Sequence, residues 1–260
     1  MSYGLEEGLE TMSTVLDLMM ERGEPELPTT LDEILSSYES LLDSRGLTVS
    51  DILSYARSFE SFGMDEEAVG AYDEALVRDG LCWDAYLGRG DVLLGMFVAR
   101  DEAGSASELG ARAVEDFERA LSLAGSARGQ VFRSFVTALL IIGDHARCES
   151  LVESWLGQGH EQEVDARLDL FYLLGFARLF SGQADKGVAA FLAMEKLGRS
   201  KEDSLFGRAV CFLVTREIDR VREIQSQLGP ELSEAVRILG ESGCNSFLDV
   251  ARVLVMIGVG

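Results

Sequence analysis

Residues that could do chemistry are few in this sequence. His145 and Cys148 stand three apart, a spacing that places two metal ligands on one face of a helix. No second pair accompanies them, and His145 directly follows a glycine turn, where an exposed polar side chain is ordinary. The other histidine, His160, lies in the polar segment GQGHEQE, which is typical of a solvated loop. We therefore expect no metal site.

A run of acids, Asp65-Glu66-Glu67, has the residue types needed for general acid–base work. The run follows Gly63 directly, so it fits the first turn of a helix better, because carboxylates there complement the helix dipole. The phosphate-binding, nucleophile-elbow and zinc-protease motifs are all missing from the sequence. The sequence therefore predicts a protein that is not an enzyme, with no catalytic residues and no cofactor.

Charge and hydropathy limit the partners and the location. The net charge of −22 repels phosphate backbones and anionic membranes, so we expect neither nucleic acid nor a membrane as a partner. It favours a basic partner, or it serves solubility alone. The amino terminus carries no secretory signal pattern, and no apolar run reaches the roughly 18 residues of a membrane span. The four cysteines are scattered, and we predict free thiols in a cytoplasmic protein.

The elements that position these residues are predicted to be helices throughout. Only three prolines occur, all near the ends, and strand-like clusters are scarce. Residues 1–47 show two segments of helical spacing, Tyr3–Arg22 and Thr30–Gly46, which predict an amino-terminal helical hairpin. A new helix is predicted to begin at Thr48–Asp51.

From residue 48 the chain repeats a pattern. Gly63 precedes Ala68 by five residues and Tyr72 by nine, and the same spacing recurs after Gly143 and Gly182. The glycine suits a left-handed turn between two helices, and the small residue lets the helices approach while the large one fills the gap. A fifth unit carries Arg216 where the glycine is expected.

These segments resemble the tetratricopeptide repeat (TPR) family. The resemblance rests on YARSFESFGMDEEAVGAYDEAL (55–76), ARAVEDFERAL (111–121) and LLGFARLFSGQADKGVAAF (173–191). It implies an all-α, right-handed α-α superhelix of antiparallel helix hairpins, with about 12–14 helices. About five repeats would span 48–229, the second of them with an insertion near 99–110. The family's usual proline after each second helix is absent, so a TPR-like array is expected rather than a regular one.

The resemblance also implies a concave groove lined by the first helix of each repeat. The predicted groove residues are Arg57, Asp91, Arg133, Tyr172, Phe176 and Phe206. The family's lysine-rich clamp for a terminal carboxylate is not expected, because none of the three lysines falls in these helices. The alternative for Phe176 and Phe206 is ordinary core, covered by later helices of the same chain.

The carboxy-terminal residues 230–260 predict capping or interface helices. The segment SFLDVARVLVMIG carries only two charges, so its helix is apolar nearly all round and should be buried. It either covers the groove or docks on a second copy. The predicted self-association residues are Phe247, Leu248, Val250, Leu254 and Val255.

The favoured function is a protein-interaction scaffold that binds a basic or amphipathic protein or peptide partner in the groove. A self-associating, homodimeric module is the alternative within binding proteins. An all-α toroidal enzyme would need more hairpins and a central acidic pair, neither of which is visible in the sequence. A regulatory domain of a larger system is a further alternative.

Overall fold

The computed structural model describes residues 47–99, 103–158, 164–198 and 201–258, and all their regular secondary structure is helical. The predicted amino-terminal hairpin (1–47) lies outside the described residues except for Leu47. The chain forms two compact units, with the boundary between Ser126 and Ala127. The described part of unit 1 begins at residue 47, and unit 2 runs from residue 127.

Twelve helices lie within the described residues, at the lower end of the predicted number. Unit 1 contains α1 (Val49–Ser61), α2 (Asp65–Arg78), α3 (Trp83–Ala99) and α4 (Ala103–Leu123). Unit 2 contains α5 (Arg128–Ile142), α6 (His145–Gly157), α7 (Val164–Phe180), α8 (Ala184–Lys196), α9 (Lys201–Val214), α10 (Ile218–Gln225), α11 (Pro230–Ser242) and α12 (Phe247–Met256). The first ten helices pair in order as five hairpins, as the repeat pattern predicts.

The predicted helix start at Thr48 is confirmed as a capping box. The Asp51 backbone N–H donates to the Thr48 hydroxyl at 3.2 Å, and the Thr48 N–H donates to the Asp51 carboxylate at 2.7 Å. Two backbone donors at the helix end are thereby satisfied, which is why this short sequence signal places the start of α1 so well.

The turns inside the hairpins have the predicted left-handed backbone. Gly63, Gly143 and Gly182 have φ angles of +71°, +89° and +79°. Arg216 occupies the equivalent turn between α9 and α10 with φ of +61°, the only positive φ of a non-glycine residue in the described chain. A side chain in this conformation costs roughly 1–2 kcal/mol, so the fifth hairpin contains a strained turn.

One large side chain fills the gap between helices in each unit, at positions that the sequence spacing predicts. In unit 1 a Cβ added at Gly88 of α3 would lie 2.3 Å from the Tyr72 ring. In unit 2 added Cβ atoms at Gly175 of α7 and Gly207 of α9 would lie 2.5 and 2.4 Å from the Phe191 ring. Only glycine leaves room for such approach, so the aromatic side chain and the glycines it touches form one packing device.

The predicted insertion near 99–110 does not form a long loop. Helices α3 and α4 have 17 and 21 residues, against 13 and 14 in α1 and α2, so the extra residues lengthen the second hairpin. Arg89 of α3 holds α4 through two hydrogen bonds to the buried Asp116 carboxylate, at 2.8 and 2.6 Å. Such a bidentate pair fixes the orientation of the two long helices.

Candidate functional site

The first helices of unit 1 carry a group of charged side chains, which we call the polar face: Arg57 and Glu60 of α1 with Asp84 and Asp91 of α3. Arg57 forms an ion pair with Asp84, and both side chains remain accessible to solvent at 51% and 33%. Glu60 accepts a hydrogen bond from the hydroxyl of Tyr72. The packing of Tyr72 thus helps to position Glu60, because the Tyr72 ring lies against Gly88 and its hydroxyl reaches the Glu60 carboxylate.

Two carboxyl groups of the polar face, those of Glu60 and Asp91, bind protons more tightly than usual. Burial raises the pKa of Glu60, while the Tyr72 hydrogen bond and the Arg57 charge act in the opposite direction. Burial, with the charge of Glu60 as a second cause, raises the pKa of Asp91 to about 7. Asp91 is nevertheless exposed to solvent, so water should screen part of this shift. A cation placed on this face would relieve the crowding of negative charge.

In unit 2, α7 is the first helix of its hairpin and carries three aromatic side chains, Tyr172, Phe176 and Phe180. We call these three residues the aromatic face. The Phe176 ring lies 5.0 Å from that of Tyr172 and 6.3 Å from that of Phe180, measured between centroids. Phe191 of α8 adds to the cluster, 5.1 Å from Phe176. These rings form a continuous apolar surface, and exposing it to water would be unfavourable.

The carboxy-terminal helix α12 covers part of the aromatic face. Phe247 of α12 lies 5.1 Å from Phe176 between ring centroids, and α12 also packs against α5 and α11. Phe247, Val250 and Val253 are the buried side chains of this helix. Phe176 is completely buried as a result of its position among these rings.

The six predicted groove residues therefore fall into three kinds. Arg57 and Asp91 are exposed and lie on the polar face, where Glu60 and Asp84, which complete it, are further acids. Phe176 and Phe206 are buried, so neither is accessible to a partner in this structure, which fits the alternative of ordinary core. Arg133 of α5 and Tyr172 are half-buried.

The predicted self-association residues also divide between interior and surface. Phe247 and Val250 are buried within the protomer, whereas Leu248 and Leu254 are half-buried. Val255 is exposed at 75%, and the neighbouring Met256 at 64%. The apolar surface of α12 that is open to solvent is thus limited to its last turn.

The pair His145–Cys148 lies at the start of α6. The Cys148 thiol donates to the Val136 carbonyl oxygen at 3.5 Å, and burial raises the thiol pKa to about 12. His145 is half-buried, contrary to the expected exposed position, because it packs 5.5 Å from the Phe180 ring. Burial lowers its pKa, and its Nε2 atom has no hydrogen-bond partner. His160 lies outside the described residues.

Among the described residues no three His, Cys, Asp or Glu side chains converge as metal ligands would. Asp65, Glu66 and Glu67 occupy the first turn of α2, as predicted. None of the helices in the described ranges combines the length and apolar character that crossing a membrane requires.

Comparison with known proteins matches the chain to solved structures only. No family model and no curated protein matches the sequence. A TPR protein from Parabacteroides merdae ATCC 43184 is 14% identical with a TM-score of 0.53, covering 95% of this chain and 82% of its own. YrrB, described as a TPR protein with an unusual peptide-binding site, is 16% identical with a TM-score of 0.50, covering 83% of this chain and 96% of its own.

A third similar structure is that of Pseudomonas aeruginosa pilF, which is 16% identical with a TM-score of 0.52 and covers 80% of this chain and 90% of its own. At such identities the likeness reports the path of the backbone and not the surface chemistry. The hairpins, the left-handed turns and the close helix approaches agree with it. The chain therefore has the all-α fold of the tetratricopeptide-repeat proteins.

Proposed function

We propose that this protein is an interaction scaffold, and that it binds a basic or amphipathic segment of a partner protein on the polar face of unit 1. The observation that carries the proposal is the exposure of Arg57 and Asp91 on adjacent first helices, beside Glu60 and Asp84. The likeness to TPR structures, one of them described as having a peptide-binding site, supports a binding function over a catalytic one.

The charges of the polar face favour a cation in the partner. Three carboxylates face one guanidinium there, and the whole chain carries a net charge of −22. A lysine or arginine of the partner could pair with Asp91, whose pKa is raised by burial and, to a smaller extent, by the negative charge of Glu60. Because the face is exposed, this attraction should speed association and fall with increasing salt.

The experiment compares three full-length baits in the native lysate: the wild type, Asp91→Lys and Glu115→Lys. Glu115 is an exposed acid of α4, so its reversal makes the same change in net charge away from the polar face. We expect quantitative mass spectrometry to find a partner with the wild type and with Glu115→Lys, and to find it depleted with Asp91→Lys.

Equal recovery of partners by all three baits would contradict the polar face as the binding site. Binding of the recovered partner should then be measured between low and physiological salt. An affinity that does not change with salt would exclude charge pairing and require an apolar contact surface.

Self-association is the second candidate function, and the exposed last turn of α12 favours it. Val255 and Met256 are large apolar side chains open to solvent at the end of the chain's described part. A two-fold contact could bury both residues against their copies. Sedimentation velocity over a range of concentrations should show a dimer that Val255→Asp abolishes. A monomer at every concentration would reject this candidate.

A further inference from the structure

We propose that α12 is an internal ligand: the surface formed by α5 and α7 binds a short amphipathic helix, and α12 occupies it until a partner helix replaces it. The proposal rests on the interaction-scaffold function but concerns a different unit and a different partner chemistry. The partner would carry large apolar side chains at positions i, i+3 and i+6, the pattern that α12 itself presents.

The contacts of α12 are those of a ligand lying on a surface. Its three buried residues, Phe247, Val250 and Val253, are three apart and form one narrow stripe. Phe247 of this stripe meets Phe176 of α7, and α12 packs on α5 as well as on α11, the helix that precedes it in the chain. A helix that meets its surface through such a stripe resembles the helix-in-groove mode of peptide recognition.

The surface beneath α12 suits an apolar helix in general. Phe176 lies within a cluster of aromatic rings from Tyr172, Phe180 and Phe191, whose centroids are 5.0 to 6.3 Å from its own. Offset and edge-on rings present broad apolar contact area without demanding one particular side-chain shape. A partner helix with a similar stripe could use the same contacts.

The start of α12 is stabilised by hydrogen bonds within the segment itself. Ser246 accepts a hydrogen bond from the Asp249 backbone N–H at 3.3 Å, and Asp249 accepts one from the Ser246 N–H at 2.9 Å. This capping box satisfies the amino-terminal donors from within the segment itself. The amino-terminal end of α12 therefore does not depend on other helices of unit 2 for its hydrogen bonds.

The connection to α11 permits a rigid swing of α12. Gly243 has φ of +87°, a conformation open to glycine, and it is exposed together with Asn245. Three residues, Gly243, Cys244 and Asn245, separate the last residue of α11 from the cap of α12. Rotation at this short exposed connector would uncover the α5–α7 surface without unfolding α11.

The apolar surface of α12 exceeds what the protomer covers. Leu254 is half-buried, while Val255 and Met256 are exposed, so part of the helix gains nothing from its docked position. A ligand that is incompletely buried competes less strongly with an external helix that buries more. This incomplete fit is expected of an occupant that must be displaced.

The test uses full-length chains and a synthetic peptide with the sequence of residues 246–256, carrying a fluorophore and a solubilising lysine tag. Val250→Asp removes the central buried contact of α12 and should free the surface. Arg252→Asp is the matched control, because it places an aspartate on an exposed position of the same helix, outside both the buried stripe and the proposed dimer contact. Fluorescence anisotropy measures peptide affinity for each chain.

We expect the peptide to bind Val250→Asp at least about tenfold more tightly than it binds the wild type or Arg252→Asp, since an occupied site lowers apparent affinity by the fraction that is free. A peptide carrying the Val250→Asp change should bind none of the chains. Equal affinity for all three chains, with unchanged circular dichroism, would overturn the proposal.

If Val250→Asp does not fold, hydrogen exchange of the wild type tests the same proposal. An excess of isotope-labelled peptide should accelerate exchange of the α12 amides while those of α7 stay protected. Amides of α12 that exchange only together with those of α7, with or without peptide, would identify α12 as a fixed part of the core. Neither readout uses the lysate partner, so failure of the polar-face experiment leaves this one interpretable.

Discussion

Units 1 and 2 share a packing device but differ in the surface that it supports. Tyr72 packs on Gly88 in unit 1, and Phe191 packs on Gly207 in unit 2, with the same sixteen-residue spacing. The first helices of unit 1 expose charged side chains, whereas those of unit 2 carry aromatic rings that α12 covers. The repeat thus constrains the residues between helices and leaves the outward positions free to diverge.

The largest expected effect tests whether this packing device supports both units. We expect Phe191→Ala to lower the free energy of unfolding by about 3–5 kcal/mol, since it leaves a cavity between α7, α8 and α9. Leu192→Ala, on the same helix but partly exposed, should cost less than about 1 kcal/mol. Urea unfolding with hydrogen exchange resolved by unit measures both. Loss of protection in unit 1 as large as that in unit 2 would show that the units do not unfold separately.

The next effect concerns the glycines that touch these rings. We expect Gly88→Ala and Gly207→Ala to destabilise their own units by about 1–3 kcal/mol, because the added methyl would overlap Tyr72 or Phe191. Gly95→Ala in α3 is the control, since its added Cβ meets nothing within 4 Å. It should stabilise the chain by about 0.5–1 kcal/mol through the unfolded state. Similar changes for Gly88 and Gly95 would disprove the close approach.

A smaller effect tests the turn in which the fifth hairpin departs from the others. Arg216→Gly should stabilise unit 2 by up to about 1 kcal/mol. Glycine removes the strain of the left-handed backbone, and this gain exceeds the extra conformational entropy that a glycine loses on folding. Gly182→Ala should do the reverse, costing about 1–2 kcal/mol in a turn with φ of +79°. Chemical unfolding of the two variants measures both changes. A destabilised Arg216→Gly would mean that the arginine side chain makes contacts that outweigh the strain.

The smallest expected effect is a difference in pH response between the units. The folded-state pKa of Asp91 is raised to about 7 from 3.8, so unit 1 should lose stability as pH rises between these values. Burial lowers the folded-state pKa of His145, so unit 2 should lose stability as pH falls below the unfolded value of 6.5. Hydrogen exchange by unit between pH 5 and 8 should show the two trends running in opposite directions.

Two variants separate these titrations from other charge effects. Asp91→Asn should flatten the response of unit 1, and His145→Gln should flatten that of unit 2. Because Asp91 is exposed, we expect only a modest slope from it. A pH response that persists in both variants would assign the titration to other groups.

Much of the fold follows from short sequence patterns. The predicted glycine turns have the expected left-handed backbone, and a helix begins after Thr48 as predicted. These features depend on residues within a few positions of each other, so local sterics and hydrogen bonds decide them. The partners of Tyr72 and Phe191 were not predicted, although the shared spacing to Gly88 and Gly207 is visible in the sequence.

The candidate sites were predicted less well, because exposure is not a local property. Arg57 and Asp91 were predicted from the resemblance to the repeat family, but the hydrogen bond between Glu60 and Tyr72 was not part of the prediction. Phe176 lies six residues before its turn glycine, as the exposed Arg57 does in unit 1, and is nevertheless buried. Phe206 is buried as well, like Leu53 at the equivalent position of unit 1. His145 was expected to be exposed and instead packs against Phe180.

The sequence by itself determined the helices, the hairpin turns and the small and large residues that pack them, since each depends on contacts between near neighbours in the chain. Only the tertiary structure decided which first helices face solvent. The contact between Phe176 and Phe247 joins helices separated by four others, and their meeting depends on the summed rotations of every hairpin between them. The spacing of residues in the sequence does not report the sum of these rotations. The contact of α12 with the aromatic face of unit 2 and the exposure of the polar face of unit 1 were therefore visible only in the folded chain.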